Sequence, residues 1–429
     1  MKKLNIEFSE TFLSKNSGLY LVSLFAEKLS LCHYLKNTIS IQRGTNAKYH
    51  ASDVILVLIM NVIAGAKHIS QCNILRNDNV VRTFLDWEKY PDDRTIGRLF
   101  EIFTHKHCIE LSEVERNIRN QVWSIKWFGR ITLDLDSTVK GVYGNQEGAE
   151  KGYNSRKRGQ KSYHPLLCFI AENRECLHNW LRPGSTYTSN GSVQFVQECF
   201  SKIPKRVWKI FVRADSGFFA GHFLEYLENN KCEYLIKVKM RNLKKLLLKQ
   251  KWRKIGNDIL FETCQFSHKC QNWNKARKFL AIRKFVKMSD ENMLFPTPVY
   301  EYFCYVSNRD LSPMKAHKCY GKRATSENWI DWCKNHMASG NILKNEFWSN
   351  SAIFQCCILA YNLLAWMMWI NTRGGFNEEP NTIRSKIITV PGRLIHSGRA
   401  WTLKLPTKYV FKEQIETMIE SINAIKLDT

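Results

Sequence analysis

The chain has 429 residues, and 64 Lys and Arg against 39 Asp and Glu leave a formal net charge of +25. That excess disfavours cationic partners and points to polyanions, nucleic acid first and an anionic membrane surface second. With 13 Trp and 24 Phe the chain is no disordered basic tail, and its length suffices for two or three domains and at least one sizeable core.

The opening stretch MKKLNIEFSETF has no long apolar run, so no signal peptide is expected. Residues 1–125 read as mostly helical. SDVILVLIMNVIAGA (52–66) starts with capping residues and continues apolar, and PDDRTIGRLFEIF (91–103) carries Arg94 and Arg98 beside an apolar stripe. Short helices with basic faces suit a helix-turn-helix-like DNA reader, and equally an ordinary helical bundle.

Residues 126–240 change character. In ITLDLD the apolar Ile131, Leu133 and Leu135 alternate with Thr132, Asp134 and Asp136, which predicts a strand with both carboxylates on one face. TVKGVYG (138–144) is its expected hairpin partner. YHPLLCFIA (163–171) and ECLHNWL (175–181) predict further strands, and SVQFVQECFSKI (192–203) a helix. VWKIFVRAD (207–215) predicts a buried strand ending in Asp215, FFAGHFLEYLENN (218–230) a helix, and EYLIKVK (233–239) a strand. That order fits a mixed α/β sheet with helices packed on it.

Residues 241–310 open with a Lys-rich run and continue with alternating segments such as DILFETCQF (258–266) and VYEYFCYVS (299–307), a mainly β insertion. Helices return over 311–380. SAIFQCCILAYNLLAWMMWI (351–370) is long enough to span a membrane, but Gln355, Tyr361 and Asn362 interrupt it, and a soluble core helix is expected instead. The tail, 381–429, predicts a hairpin (386–405) and a helix (412–425). The 14 Cys include no C-x-x-C pair, and Cys264, His268 and Cys270 match no standard metal spacing, so reduced thiols are expected.

Asp136 and Asp215 each end a strand, where two carboxylates can converge on one point. They would repel unless a divalent cation neutralised them, and oxygen ligands suit Mg2+ or Mn2+. A third carboxylate is offered by YGKRATSENWIDWCK (320–334). There Tyr320, Arg323, Glu327 and Lys334, at offsets 0, +3, +7 and +14, fall within roughly 60° on a regular helix. Such a face sets a carboxylate among a phenol, a guanidinium and an ammonium, a metal ligand among phosphate contacts.

The pattern Y-x2-R-x3-E-x6-K resembles the signature of insertion-sequence DDE transposases. LDLDSTVKGVYGNQEGAEKGYN, KSYHPLLCFIAE, LRPGSTYTSNG and VRADSGF, in that order, resemble the group named after insertion sequence 1380. The resemblance spans roughly residues 90–400. It implies a ribonuclease-H-like catalytic core in two parts (126–240 and 311–380), interrupted by the β-rich insertion and preceded by a helical DNA-binding domain (1–125). It also implies that Asp136, Asp215 and Glu327 are the catalytic carboxylates, holding two Mg2+ ions per active site, with Mn2+ able to substitute. Tyr320, Arg323 and Lys334 would grip the element's end. Asp134 would stand behind the site, accepting a hydrogen bond or balancing Arg130 or a nearby Lys.

A second DNA track is expected in KGYNSRKRGQKSYH (151–164), where Arg156, Lys157, Arg158 and Lys161 lie among tyrosines; a solvated hairpin loop is the plainer reading. Trp329 suits core packing better than stacking on an extruded base. The expected function is DNA transposition: metal-dependent phosphodiester cleavage and strand transfer at an insertion sequence's ends. A transposase-derived DNA-binding protein and a structure-selective nuclease are the alternatives. The expected partners are the terminal inverted repeats, target DNA and a second copy of the chain, with no membrane and a cytoplasmic, nucleoid-associated location.

Overall fold

The alternation in ITLDLD builds a strand, β1 (Arg130–Ser137), whose apolar side chains Ile131, Leu133 and Leu135 are all buried. The computed structural model describes residues 7–8, 10–152, 157, 159–255, 258–289, 297–371 and 378–426. The chain divides into two compact units. One comprises Phe128–Lys140 and Glu150–Ile330; the other comprises Met1–Trp127, Gly141–Ala149 and Asp331–Thr429.

The unit that contains β1 is organised by one large mixed sheet. After β1 come β2 (Leu166–Ile170), β3 (Cys176–Trp180), β4 (Lys209–Ala214), β5 (Glu233–Lys237), β6 (Arg253–Ile255), β7 (Asp258–His268), β8 (Arg277–Met288) and β9 (Pro298–Ser307). Their order across the sheet is β6-β7-β8-β9-β5-β4-β1-β2-β3. Strands β1 to β3 form an antiparallel meander, and β4 and β5 run parallel to β1. Helix α1 (Ser192–Ser201) lies between β3 and β4 in the chain, and α2 (Gly221–Asn229) between β4 and β5. The order 3-2-1-4-5 with that meander is a ribonuclease-H-like core. Strand β9 pairs antiparallel with the outer edge of β5, so the insertion extends the same sheet.

One expectation about neighbours is corrected. The antiparallel partner of β1 is 166–170, Asp136 facing Leu167, and not 138–144. The chain leaves β1 at Ser137 and returns through Tyr163, which is fully buried. A long apolar run paired in the interior is favoured over a tight polar hairpin. The insertion also has a strand of 12 residues, β8, whose adjacent basic pairs break the period-2 pattern in the sequence.

One face of this sheet carries α3 (Pro313–Gly321), started by Ser312, whose hydroxyl accepts from the Lys315 N–H, and by Pro313. Ala316 packs there into a core of Phe211, Leu235, Leu280 and Tyr305. Helix α4 (Ala324–Asp331) follows at once.

The other unit is mainly helical. Helices Ala51–Ala64, Asp93–Glu101 and His105–Ile125 pack on a 25-residue helix, Phe347–Asn371. Its 18-residue most apolar stretch is 89% buried, so the expected membrane-length segment is a core helix. Its buried Asn362 is satisfied: the amide donates to Glu115 at 2.5 Å, and Glu115 pairs with buried Arg119 at 3.0 Å. The C-terminal hairpin is Gly392–Ser397 with Ala400–Lys404, joined at its edge by Leu13–Ser14. Residues 384–388, which open the expected hairpin segment, continue instead as a wide helical turn. No disulfide joins the described cysteines.

Candidate active site

The parallel register of β1 and β4 sets Asp134 opposite Arg213. Asp134 has no exposure and Arg213 only 4%. The Arg213 guanidinium donates through Nε and Nη2 to the two Asp134 oxygens, at 2.7 and 2.6 Å, and through Nη1 to the Cys319 carbonyl at 2.9 Å. Burial opposes the Arg213 charge, but its bonds to Asp134 outweigh that and hold its pKa above the ordinary value. The partner expected for Asp134, Arg130, instead lies over the Trp208 ring at 4.4 Å. This correction has a simple cause: Arg130 opens the strand four residues before Asp134, whereas Arg213 is its cross-strand neighbour.

Two residues further along each strand, the carboxylates reach the strand ends. Asp136 is 7% exposed. One of its oxygens accepts the Ser137 N–H at 2.8 Å, and the other meets Arg323 Nη2 at 2.8 Å. Asp215 lies just past β4 and caps a short turn, accepting the Gly217 N–H at 3.0 Å. Glu327 stands in the first turn of α4 with a 67% exposed side chain, 3.7 Å from Arg323 Nη1. Burial pushes the Asp136 carboxyl up to about 7; Arg323 pulls it down, while Asp215 and Glu327 push it further up. Burial likewise pushes the Tyr320 phenol up to about 12, with Arg323 opposing and Asp215, Asp136 and Glu327 adding. The three carboxylates and the phenol therefore share one electrostatic neighbourhood.

Among the described residues, no three carboxylate, imidazole or thiol groups are close enough to hold one ion. Arg323 stands between Asp136 and Glu327. The donor set nevertheless suits a hard divalent cation: the oxygens are all carboxylate, and the Asp215 and Glu327 charges add to the rise that burial imposes on the Asp136 pKa.

The segment 320–334 is not one regular helix. Between α3 and α4 the Arg323 and Ser326 N–H groups bond to Tyr320 and Arg323 carbonyls three residues back, and Trp332–His336 is a wide π turn. Tightening at one end and widening at the other break the even 100° spacing on which a single face depends. Tyr320 is half-buried with its ring 4.8 Å from Tyr305, and Arg323 is 5% exposed. Lys334 is half-buried within the π turn.

Sequence reasoning missed the loop that props the site. Arg182 donates to the carbonyls of His164 at 3.0 Å, Tyr187 at 3.2 Å and Asn190 at 3.1 Å. His164 Nδ1 donates to the Thr186 carbonyl at 2.6 Å, and Thr188 shares a hydrogen bond with Ser137 at 3.1 Å. Gly217 is needed because a Cβ there would stand 2.8 Å from Thr188 Cβ. The signal was present in LRPGSTYTSNG, whose turn-forming residues mark a built loop.

The family model "Transposase DDE domain group 1" matches residues 1–427. The chain belongs to the DDE transposase family. No curated protein matches the chain. Two solved structures are similar to it. A piggyBac transposase synaptic complex with hairpin DNA shares 12% identity over 96% of this chain and 83% of the other, with a TM-score of 0.41. A Mos1 transposase paired-end complex with left transposon end shares 14% over 46% and 61%, with a TM-score of 0.19.

In this DDE transposase the second basic stretch is described in part. Lys157 is exposed and Lys161 half-buried at the start of a short strand. Arg156 and Arg158 lie outside the described residues. Trp329 is 3% exposed with its ring 5.6 Å from Phe169, so it packs in the core.

Proposed function

We propose that this transposase binds the ends of an insertion sequence and carries out metal-dependent phosphodiester cleavage and strand transfer. The observation that carries the reading is the shared field of Asp136, Asp215, Glu327 and Tyr320 at the mouth of the central strands. Asp136, Asp215 and Glu327 would hold Mg2+, or Mn2+ in its place, as two ions. Bound metal activates the attacking water or 3′-hydroxyl and stabilises the leaving oxygen.

The rest is done by the chain. In cleavage, water attacks phosphorus, the P–O3′ bond breaks, and the 3′-oxygen leaves with a proton. In strand transfer that 3′-hydroxyl attacks a target phosphodiester, forming one P–O bond as another breaks, so no external energy source is needed. Tyr320, kept protonated by burial, donates its O–H to a phosphate oxygen. Arg323 and Lys334 neutralise neighbouring phosphates, and the stretches LDLDSTVKGVYGNQEGAEKGYN, KSYHPLLCFIAE, LRPGSTYTSNG and VRADSGF support assignment to the insertion sequence 1380 group. Ser137 and Thr138 need not act as nucleophiles.

The net charge of +25 supports DNA as the partner. We assign end recognition to the helical region 1–125, with 151–164 as a further backbone track, including Arg156, Lys157, Arg158 and Lys161. Catalysis belongs to 126–240 and 311–380, interrupted by the insertion 241–310 and followed by the tail 381–429. Two ends must be held together, so a homodimer is the working assembly, and a DNA-bound enzyme resides with the nucleoid.

The test is a joining assay with purified protein, Mg2+, a donor made from the DNA flanking the reading frame, and a target plasmid. Joined products support the transposase. Cleavage without joining identifies a nuclease, and binding without cleavage identifies a DNA-binding derivative.

A further inference from the structure

Arg323 is in an unusual position for a residue that is to hold DNA. It is 5% exposed, and its Nη2 occupies an oxygen of Asp136 at 2.8 Å. The other Asp136 oxygen is taken by the Ser137 N–H. Nη1 lies 3.7 Å from Glu327, beyond a good hydrogen bond, and the buried Nε has no hydrogen-bond partner. The guanidinium therefore has one close ion-pair contact where it has five N–H donors. Arg213, on β4 opposite Asp134 two residues back along β1, spends its fork on Asp134 and a carbonyl.

We propose that Arg323 is a guard on the metal site: its guanidinium holds the metal-binding side of Asp136 until a DNA phosphate draws it away, so that metal and DNA bind cooperatively. This rests on the reading of Asp136 as a metal ligand. A guanidinium and a divalent cation cannot share one carboxylate at low cost, because both are cations in a buried place. A phosphodiester offers the under-used fork two oxygens in the geometry it prefers, so exchange improves the hydrogen bonding of Arg323 while freeing Asp136. The exposed Glu327 beside it marks the way to solvent. By linkage, DNA must tighten metal binding by the same factor by which metal tightens DNA binding. The device keeps the hydrolytic centre unloaded until a substrate is present.

The experiment measures free Mn2+ by electron paramagnetic resonance while the full chain is titrated, with and without a duplex made from the DNA flanking the reading frame. For the wild type, the duplex should lower the Mn2+ Kd by about tenfold or more. Arg323→Ala should bind Mn2+ about tenfold tighter than wild type without DNA, and the duplex should then change its Kd by less than about threefold. Arg323→Gln, which keeps more volume, is the second variant if Arg323→Ala does not fold. Unchanged Mn2+ affinity in the variant, or an undiminished effect of the duplex, overturns the guard. Asp136→Asn separates the two readings: if it loses Mn2+ binding, the metal site stands whatever becomes of the guard. If it binds Mn2+ as tightly as wild type, or if no chain binds Mn2+, both fall.

Discussion

On β1 two carboxylates two residues apart each meet an arginine, and the two pairs are built differently. Asp134 and Arg213 sit in the sheet interior in a two-point fork of 2.6 and 2.7 Å, with a remaining donor on the Cys319 carbonyl. Asp136 and Arg323 meet through a single 2.8 Å contact at the strand end, with the Arg323 Nε left over. A fully satisfied buried pair is hard to disturb, because any exchange leaves a charge uncompensated. A partly satisfied pair is a place where a better partner can enter. The sheet thus places a fixed ion pair behind an exchangeable one.

The largest expected effect is on the exchangeable side. Asp136→Asn, Asp215→Asn and Glu327→Gln should each take DNA cleavage below detection, with folding and duplex binding intact. Combining two should cost nothing further, since ligands of one centre act as a unit. Single-turnover cleavage assays beside far-ultraviolet circular dichroism check this, and near-normal cleavage by any single variant removes that residue from the centre.

On the fixed side the loss should be of stability. Asp134→Ala or Arg213→Ala should each cost about 3–5 kcal/mol, because the surviving partner is a buried unpaired charge. The joint change Asp134→Leu with Arg213→Met should cost less than either single change. Urea melts decide it; if the joint variant is the least stable of the three, the pair is not acting as a unit.

A smaller effect concerns pH. The Asp136 carboxyl, raised to about 7 in the folded protein, binds its proton more tightly there than in the unfolded chain. Its contribution to stability is therefore full below about pH 4, the unfolded carboxyl value, and is lost as pH rises through about 7. Melting temperatures of the metal-free protein between these limits should fall more steeply with pH in the wild type than in Asp136→Asn. Parallel curves would mean that Asp136 keeps an ordinary pKa.

The smallest effect belongs to the outer contacts. Lys334→Ala should reduce the slope of log K for duplex binding against log salt by roughly 0.9, the loss of one phosphate contact. A lowered melting temperature with an unchanged slope would assign Lys334 to packing.

Much of this frame was legible in the residues. Period-2 alternation exposed β1 and put its two carboxylates on one face, and the order of strands and helices around Asp215 gave a mixed α/β sheet, though not its strand order. The partner of Asp134 was not legible, because the register of β1 against β4 joins residues 79 positions apart and no local pattern encodes it. The burial of Arg323 escaped for a different reason. Uniform winding turns Arg323 toward the face of Glu327, whereas bonds to carbonyls three residues back rewind this segment. The strand β8 was hidden because its basic residues come in adjacent pairs, Arg277 with Lys278 and Arg283 with Lys284, around an unbroken apolar run, so no period-2 alternation marks it.

The division of the chain also has a consequence for its synthesis. The helix Phe347–Asn371 is the apolar partner of helices completed by residue 125. A ribosome must therefore make the whole sheet-bearing unit before the helices ahead of it can be covered. Ala51–Ala64, buried on almost every side once the chain is complete, waits through that interval with its apolar surface bare. Such a nascent chain is a client for trigger-type chaperones and is prone to aggregate. Products that stop before residue 347, from a frameshift or a premature stop, would carry Asp136, Asp215 and Glu327 and yet be cleared as misfolded protein, so partial copies of the gene would yield little competing protein.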